Sequence, residues 1–177
     1  MRIIKTETTT YCFEELPEDI QEKAIENLYD INVDYSWWEF VYEDAENVLL
    51  KISEFDIDRA SYVKADFIEY AENTAQKIIE NHGDMCETFK TAEEYLKDRK
   101  ELVKKYSDGV NIEEVAEDNE LEFEDETEEL DKEFLRAICE DYRVMLQNEY
   151  EYRTSEESII ETIKANEYEF TADGKIF

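Results

Sequence analysis

The sequence predicts an α+β fold, with a small antiparallel sheet near the chain termini covered by five or six helices, and three observations carry that expectation. Glycine and proline number only three and one in 177 residues, so elements should be long and mostly helical. Several Ser or Thr residues are followed three places later by Glu, the pattern of a helix start. The two chain ends, rich in Thr, Ile, Tyr and Phe, read instead as strands. The length favours a single domain over 1–177, able to bury roughly two thirds of its unfolded surface.

The segment Arg2 to Phe13 reads as the first strand. Pro17 then opens a helix, since its missing N–H costs nothing in a first turn, and Ile20, Ala24 and Leu28 recur every four residues on its inner face. Ser36 and Glu39 form a capping-box pattern, so a second helix is expected from Trp37 to about Leu49. Lys51 to Asp58 and Tyr62 to Ile68 read as a hairpin, because Val63, Ala65 and Phe67 alternate with Lys64 and Asp66. Phe67, Ala71, Ala75 and Ile78 carry helical spacing up to Gly83, expected as a left-handed cap. Thr91 and Glu94 predict the next helix start, and Gly109 its end. A long helix is expected from near Thr127, with Leu130, Phe134, Ile138, Tyr142 and Met145 on one face. Thr154 and Glu157 predict a last helix through Ile159, Ile160 and Ile163, and Asp173-Gly174 a hairpin turn before the end.

Charge is the main functional signal. Nineteen bases against 50 acids give a net charge of −31, far beyond the magnitude of ~2 to 8 that serves solubility in a small domain. Low hydropathy with high charge reads as disorder in a chain poor in aromatics, but here 12 Tyr, 9 Phe and 2 Trp are spread along the length. At one phosphate charge per ~1.7 Å, 31 charges match roughly 53 Å of duplex DNA, whereas a compact chain of this length spans roughly 40 Å. The charge density is comparable to that of DNA. Such a surface repels nucleic acid, anionic lipid and acidic substrates, so no direct binding of free nucleic acid or membrane is expected. The natural partner is a basic protein surface or a cation.

The charge is concentrated between Glu113 and Glu133, which hold thirteen acids and one base, Lys132, in 21 residues. The expected partner-binding set is therefore Glu113, Glu114, Glu117, Asp118, Glu120, Glu122, Glu124, Asp125, Glu126, Glu128, Glu129 and Asp131. Trp37 joins it, because Trp37 and Trp38 are adjacent and point about 100° apart on a helix, leaving one at a rim where an aromatic can anchor a partner. A solvated helix face is the competing account of the acidic run.

Catalytic and metal chemistry find little support. His82 is the only histidine and lies at a predicted helix C-terminus, where capping explains it. Phosphate-cradling glycine motifs are absent. Carboxylate pairs carry no specificity among 50 acids. Asp118, Glu120, Glu122 and Glu129 imitate the spacing of a calcium loop, but Phe123 stands where that loop bends at Gly. Cys12, Cys86 and Cys139 are odd in number and widely separated, so they read as buried thiols rather than a disulfide framework or zinc site. No catalytic residue, metal or cofactor is expected. No run approaches the ~18 apolar residues of a membrane span, and the opening Met1 to Lys5 runs into Thr and Glu rather than an apolar signal core, so a cytoplasmic location is expected.

The run Asp30 to Glu39, continued by Tyr42 to Ala45 and by Phe55 to Arg59, together with the ending Glu169 to Phe177, resembles a family of small acidic proteins of phages and mobile elements of Firmicutes. Some members resemble anti-CRISPR inhibitors of type II CRISPR effector nucleases. The resemblance implies a non-enzymatic counter-defence inhibitor acting in a host bacterial cell, with a CRISPR effector or other defence nuclease as partner. Such effectors hold duplexes in positively charged channels that an acidic mimic can occupy. Two alternatives are an antitoxin-like regulator neutralising a basic toxin protein and an enzyme acting on a defence nucleotide signal.

Overall fold

A computed structural model describes residue 1, residues 7–107 and residues 116–177, with side chains from 121 onward in the last stretch. The fold is α+β. Among the described residues it has six α-helices and two separate two-stranded antiparallel sheets. The chain divides into two compact units, one of Met1–Trp37 with Asn148–Phe177 and one of Trp38–Gln147.

The first unit joins the two ends of the chain. Strand β1 (Tyr11–Cys12) pairs with β4 (Glu169–Phe170), Tyr11 opposite Phe170 and Cys12 opposite Glu169. So short a ribbon needs a packed face to persist, and helices α1 (Glu18–Asn27) and α6 (Glu156–Ala165) supply it. Phe13, Leu16, Ala24, Ile159, Ile163 and Phe170 form the buried cluster, the Phe13 and Phe170 rings 6.1 Å apart. Each large apolar side chain buried this way contributes roughly 1.5–3 kcal/mol. Asn32 is also buried; its amide donates to the Arg153 carbonyl and Ser158 Oγ, both at 3.1 Å, and its Oδ1 accepts from Thr162 Oγ1 at 2.7 Å.

The second unit holds α2 (Glu39–Asn47), β2 (Leu50–Asp56), β3 (Tyr62–Phe67), α3 (Ala71–Asn81), α4 (Glu87–Ser107) and most of α5 (Ala116–Arg153). Strands β2 and β3 form the expected hairpin, Leu50 opposite Phe67 and Ile52 opposite Ala65. An irregularity between Ile52 and Glu54 leaves Ser53 unpaired and sets Phe55 opposite Val63. Phe55 is an odd number of residues from Ile52, and the bulge is what brings it back to the apolar face. On α5, Phe134, Ile138, Tyr142 and Leu146 recur every fourth residue and are all buried, as are Val41, Ala45, Val48, Leu50, Ala75, Ile78 and Ala92 of the same unit.

Several expected boundaries differ. The first strand is described only at Tyr11–Cys12, and residues 2–6 of the expected strand lie outside the described residues. Helix α2 starts two residues late with Trp38 at its N-cap and no side-chain cap, so Ser36 and Glu39 make no capping box. Helix α4 starts at Glu87, one turn before Thr91, whose hydroxyl donates instead to Asp141 Oδ2 at 2.7 Å. The cap of α6 is Ser155, which accepts from the Ser158 N–H, while Thr154 bonds back to the Tyr150 carbonyl at 2.8 Å. Helix α3 ends at an extended His82 and leaves Gly83 without a left-handed conformation. Gly109 lies outside the described residues. Helix α5 begins by Ala116 rather than near Thr127, because its Glu-rich first turns hold no Gly or Pro and place acids at the positive end of the helix dipole. Its 38 residues measure ~57 Å.

Candidate functional site

Helices α4 and α5 lie antiparallel, as three contacts along their length show. Thr91 meets Asp141, the Tyr95 ring stacks on Phe134 with centroids 4.3 Å apart, and Lys105 Nζ reaches Glu126 at 2.7 Å. On one face they enclose a groove formed by two contiguous depressions of about 200 and 550 Å³, which share Asp98, Leu130 and Glu133. Tyr95 and Phe134 are buried in its floor, and Leu102 and Leu130 are half-buried there.

The rims follow from helical spacing. Glu94, Asp98 and Glu101 stand at i, i+4 and i+7 on α4, and Glu126, Glu129 and Glu133 at i, i+3 and i+7 on α5, so each set forms one stripe. All six carboxylates are exposed. Glu126 pairs with Lys105, and Glu129 with Arg136 at 2.8 Å. Among the described residues, no cation lies within ion-pair distance of Glu94, Asp98, Glu101 or Glu133. Hydrogen bonds from Lys105 and Tyr106 hold the Glu126 carboxyl below its ordinary range, and that pair closes one end of the groove.

The acids expected to bind a partner separate into distinct groups. Glu122, Glu124 and Asp125 are exposed on α5. Glu126, Glu128 and Glu129 are exposed but engaged by Lys105, Lys132 and Arg136. Asp131 is a structural residue: it accepts from the Tyr95 hydroxyl at 2.6 Å and lies 3.7 Å from Arg99, which itself donates to Glu72 at 3.0 Å. Burial first, then the Asp131 carboxylate, push the Tyr95 phenol well above its ordinary value. Glu113 and Glu114 lie outside the described residues, as do the side chains of Glu117, Asp118 and Glu120.

Trp37 is corrected from its expected surface role. It is 6% exposed, with its ring 5.7 Å from Tyr150, and Trp38 is the half-buried neighbour, edge-on to Phe55 at 5.6 Å. The rim acids Glu94, Asp98, Glu101 and Glu133 were outside the expected set. Their i, i+4, i+7 spacing on α4 was visible in the sequence, but only the pairing of α4 with α5 shows that it faces an acidic stripe.

Other chemistry is less open. The half-buried His82 bonds through Nδ1 to Thr88 Oγ1 at 2.7 Å, and its Nε2 lies 3.4 Å from Asp44 Oδ1. Hydroxyl, imidazole and carboxylate thus stand in the order of a nucleophilic triad. Thr88 is only 3% exposed, so no substrate reaches its hydroxyl, and the trio fastens α2 to the α3–α4 connection. Asp118, Glu120, Glu122 and Glu129 lie within helical backbone, which cannot wrap a cation as a loop does. Among the described residues, no three His, Cys, Asp or Glu side chains converge on a common metal position. Cys12 and Cys86 are exposed, correcting the expectation of buried thiols, and Cys139 is half-buried, its thiol pushed up to about 11 mainly by burial. Among the described residues, no helix is long and apolar enough to cross a membrane.

Compared with known proteins, the chain matches no family model, no curated protein and no solved structure.

Proposed function

We propose that the chain is a non-enzymatic inhibitor that occupies the basic nucleic-acid-binding surface of a host defence nuclease, in the manner of an anti-CRISPR acidic mimic. The observation that supports this reading is the pair of carboxylate stripes on α4 and α5, four of whose acids have no cation within reach among the described residues, on a chain of net charge −31. Unpaired like charges repel one another and weaken the fold that carries them, an expense that a cationic partner offsets on binding. Lys and Arg side chains that grip phosphates would meet fixed carboxylates at helical spacing instead, ~5 to 6 Å apart. The resemblance to phage and mobile-element proteins supplies the choice of a defence nuclease, and of a CRISPR effector within that class.

The test is displacement of target DNA from a purified type II CRISPR effector, measured at increasing salt. The chain is expected to compete with DNA at low salt and to lose potency as ionic strength passes ~0.15 M, where the Debye length is about 8 Å. Joint replacement of Glu117, Asp118, Glu120, Glu122, Glu124 and Asp125 by Gln or Asn is expected to weaken competition by several tenfold steps, since each surface pair contributes ~0.2–1 kcal/mol and ~1.4 kcal/mol is tenfold. Equal potency of that variant with an unchanged salt slope would remove this segment from the interface. Tight binding of the chain alone to duplex DNA would overturn the mimic reading.

A further inference from the structure

We infer that the α4–α5 groove is a docking site for one amphipathic, basic α-helix of the partner protein. This rests on the reading of the partner as a basic protein surface and adds the element that surface presents. A flat charge-only contact needs no cavity, yet the groove offers about 550 Å³ of space in its larger depression, above Leu102 and Leu130, and continues over Leu130 and Phe134 in the smaller one. Two antiparallel helices leave a trough into which the side-chain ridge of a third helix packs. The run from Thr91 to Lys105 spans ~21 Å of α4, the length of a helix of about 14 residues.

The charges specify the faces of that helix. Apolar residues at i, i+3 or i+4 and i+7 would fill the floor. Lysine or arginine on either side would lay aliphatic stems over Leu102 and Leu130 and bring their charged ends to Glu94, Asp98, Glu101 and Glu133. Nucleic acid is repelled by the same rims, and two copies of a chain carrying −31 repel each other. The Lys105–Glu126 pair at one end limits how far the incoming helix extends.

The probe is a synthetic helical peptide of about 14 residues with leucines along one face and lysines flanking them, compared with a shuffled peptide of identical composition and no apolar face. Binding to the full chain is read by fluorescence anisotropy. The patterned peptide is expected to bind at least about tenfold more tightly than the shuffled one, because charge is equal and only the groove distinguishes them. Joint replacement Glu94→Gln, Asp98→Asn, Glu101→Gln and Glu133→Gln is expected to remove most of that binding. Ala137→Trp, at an exposed position lining the smaller depression, keeps every charge while filling that end of the groove, and is expected to lower the preference for the patterned peptide. Equal binding of the two peptides, or an unchanged preference in Ala137→Trp, would overturn the groove as a docking site; so would self-association of the chain that the peptide fails to disperse. If Ala137→Trp loses the peptide yet displaces DNA from the effector as the parent does, the docking inference fails and the acidic inhibitor reading stands. If the groove binds the patterned peptide but the chain displaces no DNA, the inhibitor reading fails and the docking site remains.

Discussion

The Tyr142 hydroxyl donates to Asp44 Oδ2 at 2.8 Å, joining α5 to α2 across 98 residues of sequence. The Tyr142 ring is fully buried, while the Asp44 side chain is 39% exposed. Burial would raise the Asp44 carboxyl, but the His82 imidazole and the Tyr142 hydroxyl beside it outweigh burial and hold it below its ordinary 3.8. A carboxyl depressed in the folded state contributes stability that is present above its unfolded pKa and is lost as pH falls through the lower, folded one. Tyr142→Phe keeps the packing and removes the donor, so it is expected to destabilise the chain by about 1 kcal/mol at pH 7. That is less than the ~1.5–3 kcal/mol of an enclosed bond to a charge, because Asp44 is partly solvated. The gap between parent and variant should narrow below pH ~3.8 as Asp44 is protonated. Urea unfolding of both proteins from pH 7 to pH 3 measures it, and the difference cancels the general relief of charge repulsion in acid. A gap independent of pH would assign the effect to packing.

Asn32 is the polar centre of the first unit, with three bonds to Arg153, Ser158 and Thr162. Asn32→Ala leaves the Ser158 and Thr162 hydroxyls and a carbonyl short of a partner at a position only 8% exposed. A loss of roughly 1–3 kcal/mol is expected. Hydrogen exchange reads it locally: protection should fall first in α6 and around β1–β4, and an unaltered α6 would show that water replaces the amide without cost.

Gly174 turns the chain at φ +81°, and a Cβ there would stand 3.1 Å from the Ile20 carbonyl oxygen and 3.2 Å from Ile20 Cγ2. Gly174→Ala therefore meets both an unfavourable backbone region and the side of α1. The expected cost is at least about 1 kcal/mol, seen as a lower midpoint in thermal unfolding. Gly83 has open space around it and no such conformation, so Gly83→Ala is the matched control and should change little.

Elements whose cause is local were legible in the residues themselves. The hairpin of β2 and β3 follows from alternation of Val63, Ala65 and Phe67 with Lys64 and Asp66, and the inner stripe of α5 from Phe134, Ile138 and Tyr142 at four-residue spacing. The charge of −31 likewise needed no coordinates, and it directs the functional reading toward a cationic partner. Helix starts were less legible, because Ser36, Thr91 and Thr154 are locally equal candidates for caps, and the choice rests on what else each hydroxyl can reach. Thr91 reaches Asp141, 50 residues away. Tertiary structure alone decided which acids are available: Asp131 is spent on Tyr95 and Arg99, while Glu94, Asp98 and Glu101, inconspicuous on a helix that also carries Lys97, Lys100 and Lys104, line a groove opposite Glu133. It also buried Trp37, since which of two adjacent rings turns inward depends on the side chain waiting there, here Tyr150 of a helix more than a hundred residues further along the chain.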